Sequence, residues 1–363
     1  MIKTFYDSDE HISTLVGKIY RLKDEKSVQL ALRNSWSLGN LCETSSIGAL
    51  SQPDREKIFE MCVQFSKPTY KDKVTAHAIR AIGHIFANCK EFENLNNDVI
   101  GWEEFFMLLV QNIEHKSPKV SWNSCVLLRS IMDNSYIRDK IQDLLFSKDT
   151  ITSLCHIIKE NSNFKTRIHS VQTLSKLRDY YDYGECNLEV WDSFLSGFQH
   201  VTETSEFTDV NYISTLEFQL VNLFVKLVKM VEEGQNHTDK FSEFLNGRSR
   251  ELEASIKNYL QKQFGVTAFS AVLQEEVSKE LEENKDISTE SGTVNKSVLL
   301  KETIGEIQTA FKTIVKLIDS SGDIKVPFSV YETFNALATT DTENFADLEL
   351  LKIKKTAFDK DQF

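Results

Sequence analysis

Apolar residues recur three and four positions apart along most of this chain, the spacing of amphipathic helices. The clearest stretch is Lys119–Ile131, KVSWNSCVLLRSI. As a helix it sets Val120, Ser124, Leu127, Leu128 and Ile131 on one face, keeps the small Ser124 and Cys125 at its middle, and follows Pro118. It predicts the inner helix of a helical hairpin, and similar stretches stand before and after it. Val28–Leu41, Val74–Ile85, Val120–Ile131 and Thr166–Leu177 align on one column holding Gly39, Gly83, Arg129 and Ser175, at steps of 44, 46 and 46 residues. One position earlier stand Leu38, Ile82, Leu128 and Leu174, and two later Leu41, Ile85, Ile131 and Leu177. Five earlier come the short side chains of Asn34, Ala78, Ser124 and Ser170. Apolar columns three apart share a helix face, and a column of short side chains lets a neighbouring helix approach to about 8–10 Å.

Outer helices fit between these. Asp54–Phe65 starts after Pro53, and Trp102–Ile113 carries Trp102, Phe105, Phe106, Leu109 and Ile113 at helical spacing. Ile141–Ile158 is a third, interrupted near Lys148 and Asp149, and Leu188–Val201 a fourth, partnered by the long Val210–Val231. A hairpin period of about 40–47 residues is that of HEAT and armadillo arrays, whose units bury their apolar faces only by stacking. The expected fold is therefore all-α, a right-handed α-solenoid of HEAT/armadillo-like hairpins over residues 1–282, with helices at Lys240–Phe264 and Thr267–Glu282. The polar run at 283–296 reads as a linker or long loop. Residues 297–340 read as C-terminal helices. Leu300, Ile304, Ile307, Phe311, Ile314 and Ile318 form a seam that either caps the array or pairs with a partner helix. Residues 341–363 read as a charged, disordered tail. The short apolar run from Ile12 to Leu22 suggests a truncated first helix, as in a piece of a longer solenoid.

With 13 Gly and 4 Pro in 363 residues, the chain is poor in the turn residues that a β-sandwich or an α/β enzyme needs. The net charge of −12 is spread out: residues 234–363 hold 16 basic and 22 acidic side chains, leaving 26 and 32 before them. A field of that sign disfavours nucleic acid and anionic membranes as partners. The most apolar run, Phe218–Val231, is broken by Asn222, Lys226 and Lys229, too soon for a membrane span. The six cysteines form no CxxC pair and sit among apolar helical residues, as reduced, buried thiols do. Together with an N-terminus that lacks a signal-peptide core, they point to the cytoplasm or the nucleus.

The segments KVSWNSC (119–125), FKTRIHSVQTLS (164–175) and EVWDSFLSGFQ (189–199), with NSWSLGNL (34–41) before them, resemble the C-terminal repeats of the HEAT repeat-containing protein 6 family. The similarity runs from Val28 to Phe264, and Arg129-Ser130 departs from the Leu-Gly-Asn repeat ending. The resemblance implies an armadillo-like fold with no catalytic activity, and it transfers no site residues.

Chemistry points the same way. His77 and His84 are seven residues apart, too far for the paired ligands of a zinc helix, and no HExxH, GxSxG or phosphate-loop motif occurs. His77 aligns with Arg33, Asn123 and His169 and reads as a polar packing or groove residue. No metal, cofactor or catalytic residue is expected. Lys73, Arg80, His84, Lys119, Arg129, Lys165, Arg167, Lys176 and Arg178 fall on or beside successive inner helices, which line the concave face of a solenoid. Such a ridge could dock acidic or phosphorylated peptides, with Arg80, His84, Arg129 and Lys176 as the expected protein-binding residues. The function expected is a non-enzymatic protein-interaction scaffold or adaptor. The alternatives are a nuclear transport receptor, or a regulatory subunit of a kinase, phosphatase or vesicle-coat complex.

Overall fold

The computed structural model describes residues 9–21, 27–43, 51–88, 101–145, 147–179, 183–203, 210–233, 238–282 and 293–339. Cys89, most of the expected linker (283–292) and the expected tail (341–363) lie outside them. Among the described residues fourteen α-helices follow one another in chain order: α1 (Asp9–Arg21), α2 (Val28–Glu43), α3 (Gln52–Phe65), α4 (Asp72–Asn88), α5 (Trp102–Ile113), α6 (Pro118–Asp133), α7 (Ser135–Leu145), α8 (Lys148–Glu160), α9 (Phe164–Arg178), α10 (Asn187–Glu203), α11 (Val210–Glu232), α12 (Thr238–Glu282), α13 (Thr293–Ser320) and α14 (Phe328–Thr339). No strand occurs among the described residues.

The starts of these helices are written locally. Ser51 accepts the amide N–H of Asp54 at the head of α3, Ser147 that of Thr150 at α8, and Asn163 that of Thr166 at α9. Pro118 opens α6 at its first position, where its missing N–H costs nothing.

The helices fall into two compact units, one of residues 1–193 with 207–219, the other of 194–206 with 220–363. In the first unit α2 packs on α4, α4 on α6 and α6 on α9, so these four inner helices form one layer. Helices α3, α5 and α8 back them on the other side. The aligned apolar columns are the core: Leu38, Ile82, Leu128 and Leu174 are all fully buried, as are Ile85 and Ile131. Each such side chain contributes about 1.5–3 kcal/mol on leaving water. Phe59, Phe86, Trp102 and Phe105 meet edge-on or tilted, with ring centres 5.4–6.4 Å apart, and seal α3 to α4 and α5.

The second unit is built on aromatic rings. Phe194 stacks on Phe224, Phe224 meets Phe311, and Phe311 meets Phe334, at 5.5, 5.7 and 5.0 Å. The seam of α13 is spent inside this unit, since Ile304, Ile307, Phe311 and Ile314 are buried. Ile318, at the end of the seam, is half-buried.

Three expected elements differ. The stretch expected as one interrupted helix over 141–158 is two helices, because Ser147 caps a new start, and α7 already begins at Ser135. The stretches 240–264 and 267–282 are one continuous helix, α12; Gly265 costs a helix interior only about 1 kcal/mol and does not stop it. Helix α13 starts at Thr293, inside the expected linker.

Candidate interaction face on the inner helices

One register runs through the inner layer. The Nδ2 of Asn123 donates to the carbonyl of Ala76 at 3.0 Å, and a Cβ added at Gly83 would lie 3.7 Å from the Cα of Leu127. Across the next seam Cys125 Sγ lies 3.5 Å from Ser170 Oγ, and Thr173 donates to the carbonyl of Cys125 at 3.1 Å. All these partners are 44 to 48 residues apart, so α4, α6 and α9 run parallel and equivalent positions sit side by side. This is a helical-repeat protein, an all-α solenoid whose repeat is the period read in its sequence.

That register decides what the cations of the ridge do. Arg80 donates to Asn40 Oδ1 on α2 at 2.9 Å and lies against Gly39, where an added Cβ would come within 3.0 Å of its guanidinium. Arg129 donates to Gln172 Oε1 and lies 3.0 Å from His169 Nδ1, both on α9. Lys176 pairs with Asp133 on α6 at 2.7 Å. Three of the four residues expected to bind a partner therefore tie one inner helix to the next. The fourth, His84, is half-buried. Burial lowers its pKa, and nearby Arg80 adds to this while Glu43 opposes it.

Arg167 is not on the ridge. It is wholly buried, its Nε donates to the carbonyl of Ile158 at 2.9 Å, and burial pushes its pKa down to about 10. Its guanidinium meets the carbonyl end of α8, the negative end of that helix. Ser121, the equivalent residue on α6, donates to the carbonyl of Ile113 at the end of α5. The column Thr75, Ser121 and Arg167 is buried throughout, so a reader aligning position 167 with 121 and 75 would have placed this cation inside.

The histidine column behaves as a packing column. His169 Nδ1 lies 3.0 Å from the Arg129 guanidinium and 3.2 Å from Gln172 Oε1, so it accepts from the first or donates to the second according to the tautomer. Burial first, and then the Arg129 charge, push its pKa down to about 4. Burial also lowers the pKa of His77, aided by Arg80, Lys119 and Lys73. Among the described residues no group of three His, Cys, Asp or Glu side chains could hold a metal, and no helix is long and apolar enough to cross a membrane. Cys42, Cys62, Cys125, Cys155 and Cys186 are buried and none is in a disulfide; burial pushes Cys125 up to about 11 and Cys155 to about 12.

Three lysines of the ridge lie at the heads of α4, α6 and α9. Lys73, Lys119 and Lys165 each occupy the second position of α4, α6 and α9, at steps of 46 residues, and none has an ion-pair partner among the described residues. Lys73 and Lys119 are exposed, and the Lys165 ammonium rests 4.2 Å from the centre of the Trp122 ring. The first turns of α6 and α9 hold no acidic residue, so the lysines there add to the positive helix end. Trp36 on α2 is 49% exposed.

No family model matches the chain. Among solved structures it is similar to an engineered protein of the Northeast Structural Genomics Consortium, at 16% identity and TM-score 0.44 over 67% of this chain and 94% of that one. A second engineered protein of that consortium gives 13% and 0.42 over 66% and 94%. A designed armadillo repeat protein gives 12% and 0.38 over 63% and 91%.

Proposed function

We propose that this chain is a non-enzymatic protein-interaction scaffold, kin to the HEAT repeat-containing protein 6 family, that takes an acidic or phosphorylated peptide segment on the open, concave side of its inner helices. The observation that carries this reading is the contrast between a chain of net charge −12 and a face where Lys73, Lys119 and Lys165 stand without acidic partners among the described residues. Arg80 and Arg129 add positive charge to the inner layer, while their hydrogen bonds to Asn40 and to Gln172 keep the helices in register. A field of this kind selects and steers an anionic segment more than it adds raw affinity. The scaffold works in a reducing compartment, cytoplasm or nucleus, which suits five buried thiols with no disulfide among them.

Fluorescence anisotropy with labelled acidic peptides, charge-matched basic peptides and neutral peptides tests it. The expected result is saturable binding of the acidic set alone, weakened by salt. Equal binding of the neutral set, or none of the acidic set, overturns it.

A further inference from the structure

Resting on that reading, we propose that the bound segment lies in a polyproline-II conformation across α4, α6 and α9 and presents an acidic side chain at every third residue, one each to Lys73, Lys119 and Lys165. The argument is one of spacing. The three lysines are equivalent residues of parallel neighbouring helices, in a register fixed at both seams by the Asn123–Ala76 and Thr173–Cys125 hydrogen bonds. Their roots are therefore separated by the interaxial distance of packed helices, about 8–10 Å. His77 on α4 lies within electrostatic reach of both Lys73 and Lys119, whose side chains are exposed.

A ligand that meets this row must repeat its charge at the same distance and on the same side. A β-strand rises about 3.3 Å per residue with side chains alternating, so same-side charges come about 6.6 or 13 Å apart. Neither matches. An α-helix needs about six residues per step, which its 3.6-residue turn does not return to one face. Polyproline II has three residues per turn and a rise of about 3.1 Å, so positions i, i+3 and i+6 lie on one side about 9.3 Å apart. That is the spacing of the row. The row ends at α2, where the equivalent residue is the exposed Gln29, so the segment spans three contacts and no more on that side. Arg80, Arg129 and Lys176 are committed to Asn40, His169 and Asp133 and set the frame without reading the ligand.

The test uses the full chain and three peptides of one composition, with Glu at every second, every third or every fourth position and Pro filling the gaps equally. The period-three peptide is expected to bind about tenfold more tightly than the others. The triple variant K73Q/K119Q/K165Q is expected to abolish that preference at unchanged circular dichroism, since Lys73 and Lys119 are exposed and Lys165 gives up only its contact with the Trp122 ring. As a control for folding, the same triple change to Arg keeps the charge and is expected to keep the preference. Equal affinity for the three peptides, or a preference that survives in the Gln triple, overturns the spacing inference while leaving the scaffold reading intact. A single-stranded oligonucleotide that outcompetes all three peptides, or no peptide binding at all, overturns both.

Discussion

His169→Gln turns the seam between α6 and α9 into a measurable pH dependence. In the folded chain the ring lies 3.0 Å from the Arg129 guanidinium, and its pKa is pushed down to about 4 by burial and by that same charge. In the unfolded chain an imidazole titrates near 6.5. Above pH 6.5 the ring is neutral in both states and has no effect on the pH dependence. Between 6.5 and 4 the unfolded chain binds a proton that the folded chain refuses, so folding loses about 1.4 kcal/mol per pH unit, about 3 kcal/mol across the window. Glutamine can still accept from Arg129 but cannot titrate. Urea unfolding of wild type and H169Q at pH 7.5, 6.5, 5.5 and 4.5 isolates the effect, because the carboxylates and the other histidines are common to both. The stability difference should be flat above pH 6.5 and then shift in favour of the variant by about 1.4 kcal/mol per unit. A difference that stays constant down to pH 4.5 would refute the placement of a neutral ring beside Arg129 in that seam.

Three further substitutions, at Gly83 and Asp54, test the frame. Gly83→Ala should leave stability equal or raise it by up to about 1 kcal/mol, because the added Cβ meets Leu127 at ordinary contact distance and Ala favours the helix. Gly83→Val should cost about 1–3 kcal/mol by forcing α4 from α6, read as a fall in melting temperature. Asp54→Ala should cost about 1–3 kcal/mol, since the carboxylate accepts from Ser13 at 2.7 Å, from Ser51 at 2.8 Å and from Lys57. Burial alone would raise the Asp54 pKa, but those bonds outweigh it and hold it below the usual range, so this contribution is lost as the pH falls through that lowered value.

The repeat was legible because its signal is stacked. Leu38, Ile82, Leu128 and Leu174 occupy one column, and the structure buries all four. Asn34, Ala78, Ser124 and Ser170 are short, and they are buried at the helix contacts. The roles of charged residues were not legible to the same degree. Arg129 and Lys176 look like surface cations in sequence, yet their partners His169, Gln172 and Asp133 lie about 40 residues away and only the fold brings them near. Arg167 looks like its neighbour Lys165, but one faces solvent over Trp122 and the other fills the end of α8. Helix ends fell between these cases. The interruption near Lys148 and Asp149 was legible as a polar break in the run, and Ser147 supplies the cap that turns it into a new helix start. The row of three lysines was present in the sequence as part of a longer ridge. What singled it out was the removal of Arg80, Arg129, Arg167 and Lys176 by their own contacts.

The central claim is that an anionic segment meets the open face of the inner layer at the heads of α4, α6 and α9. Zero-length carbodiimide crosslinking of a bound acidic peptide, followed by peptide mapping, joins only carboxylates and lysines that already touch. Crosslinks are expected to concentrate on Lys73, Lys119 and Lys165, and to be lost when unlabelled peptide competes. Crosslinks spread over the exposed lysines of both units, or gathered on α11 to α14, would contradict it.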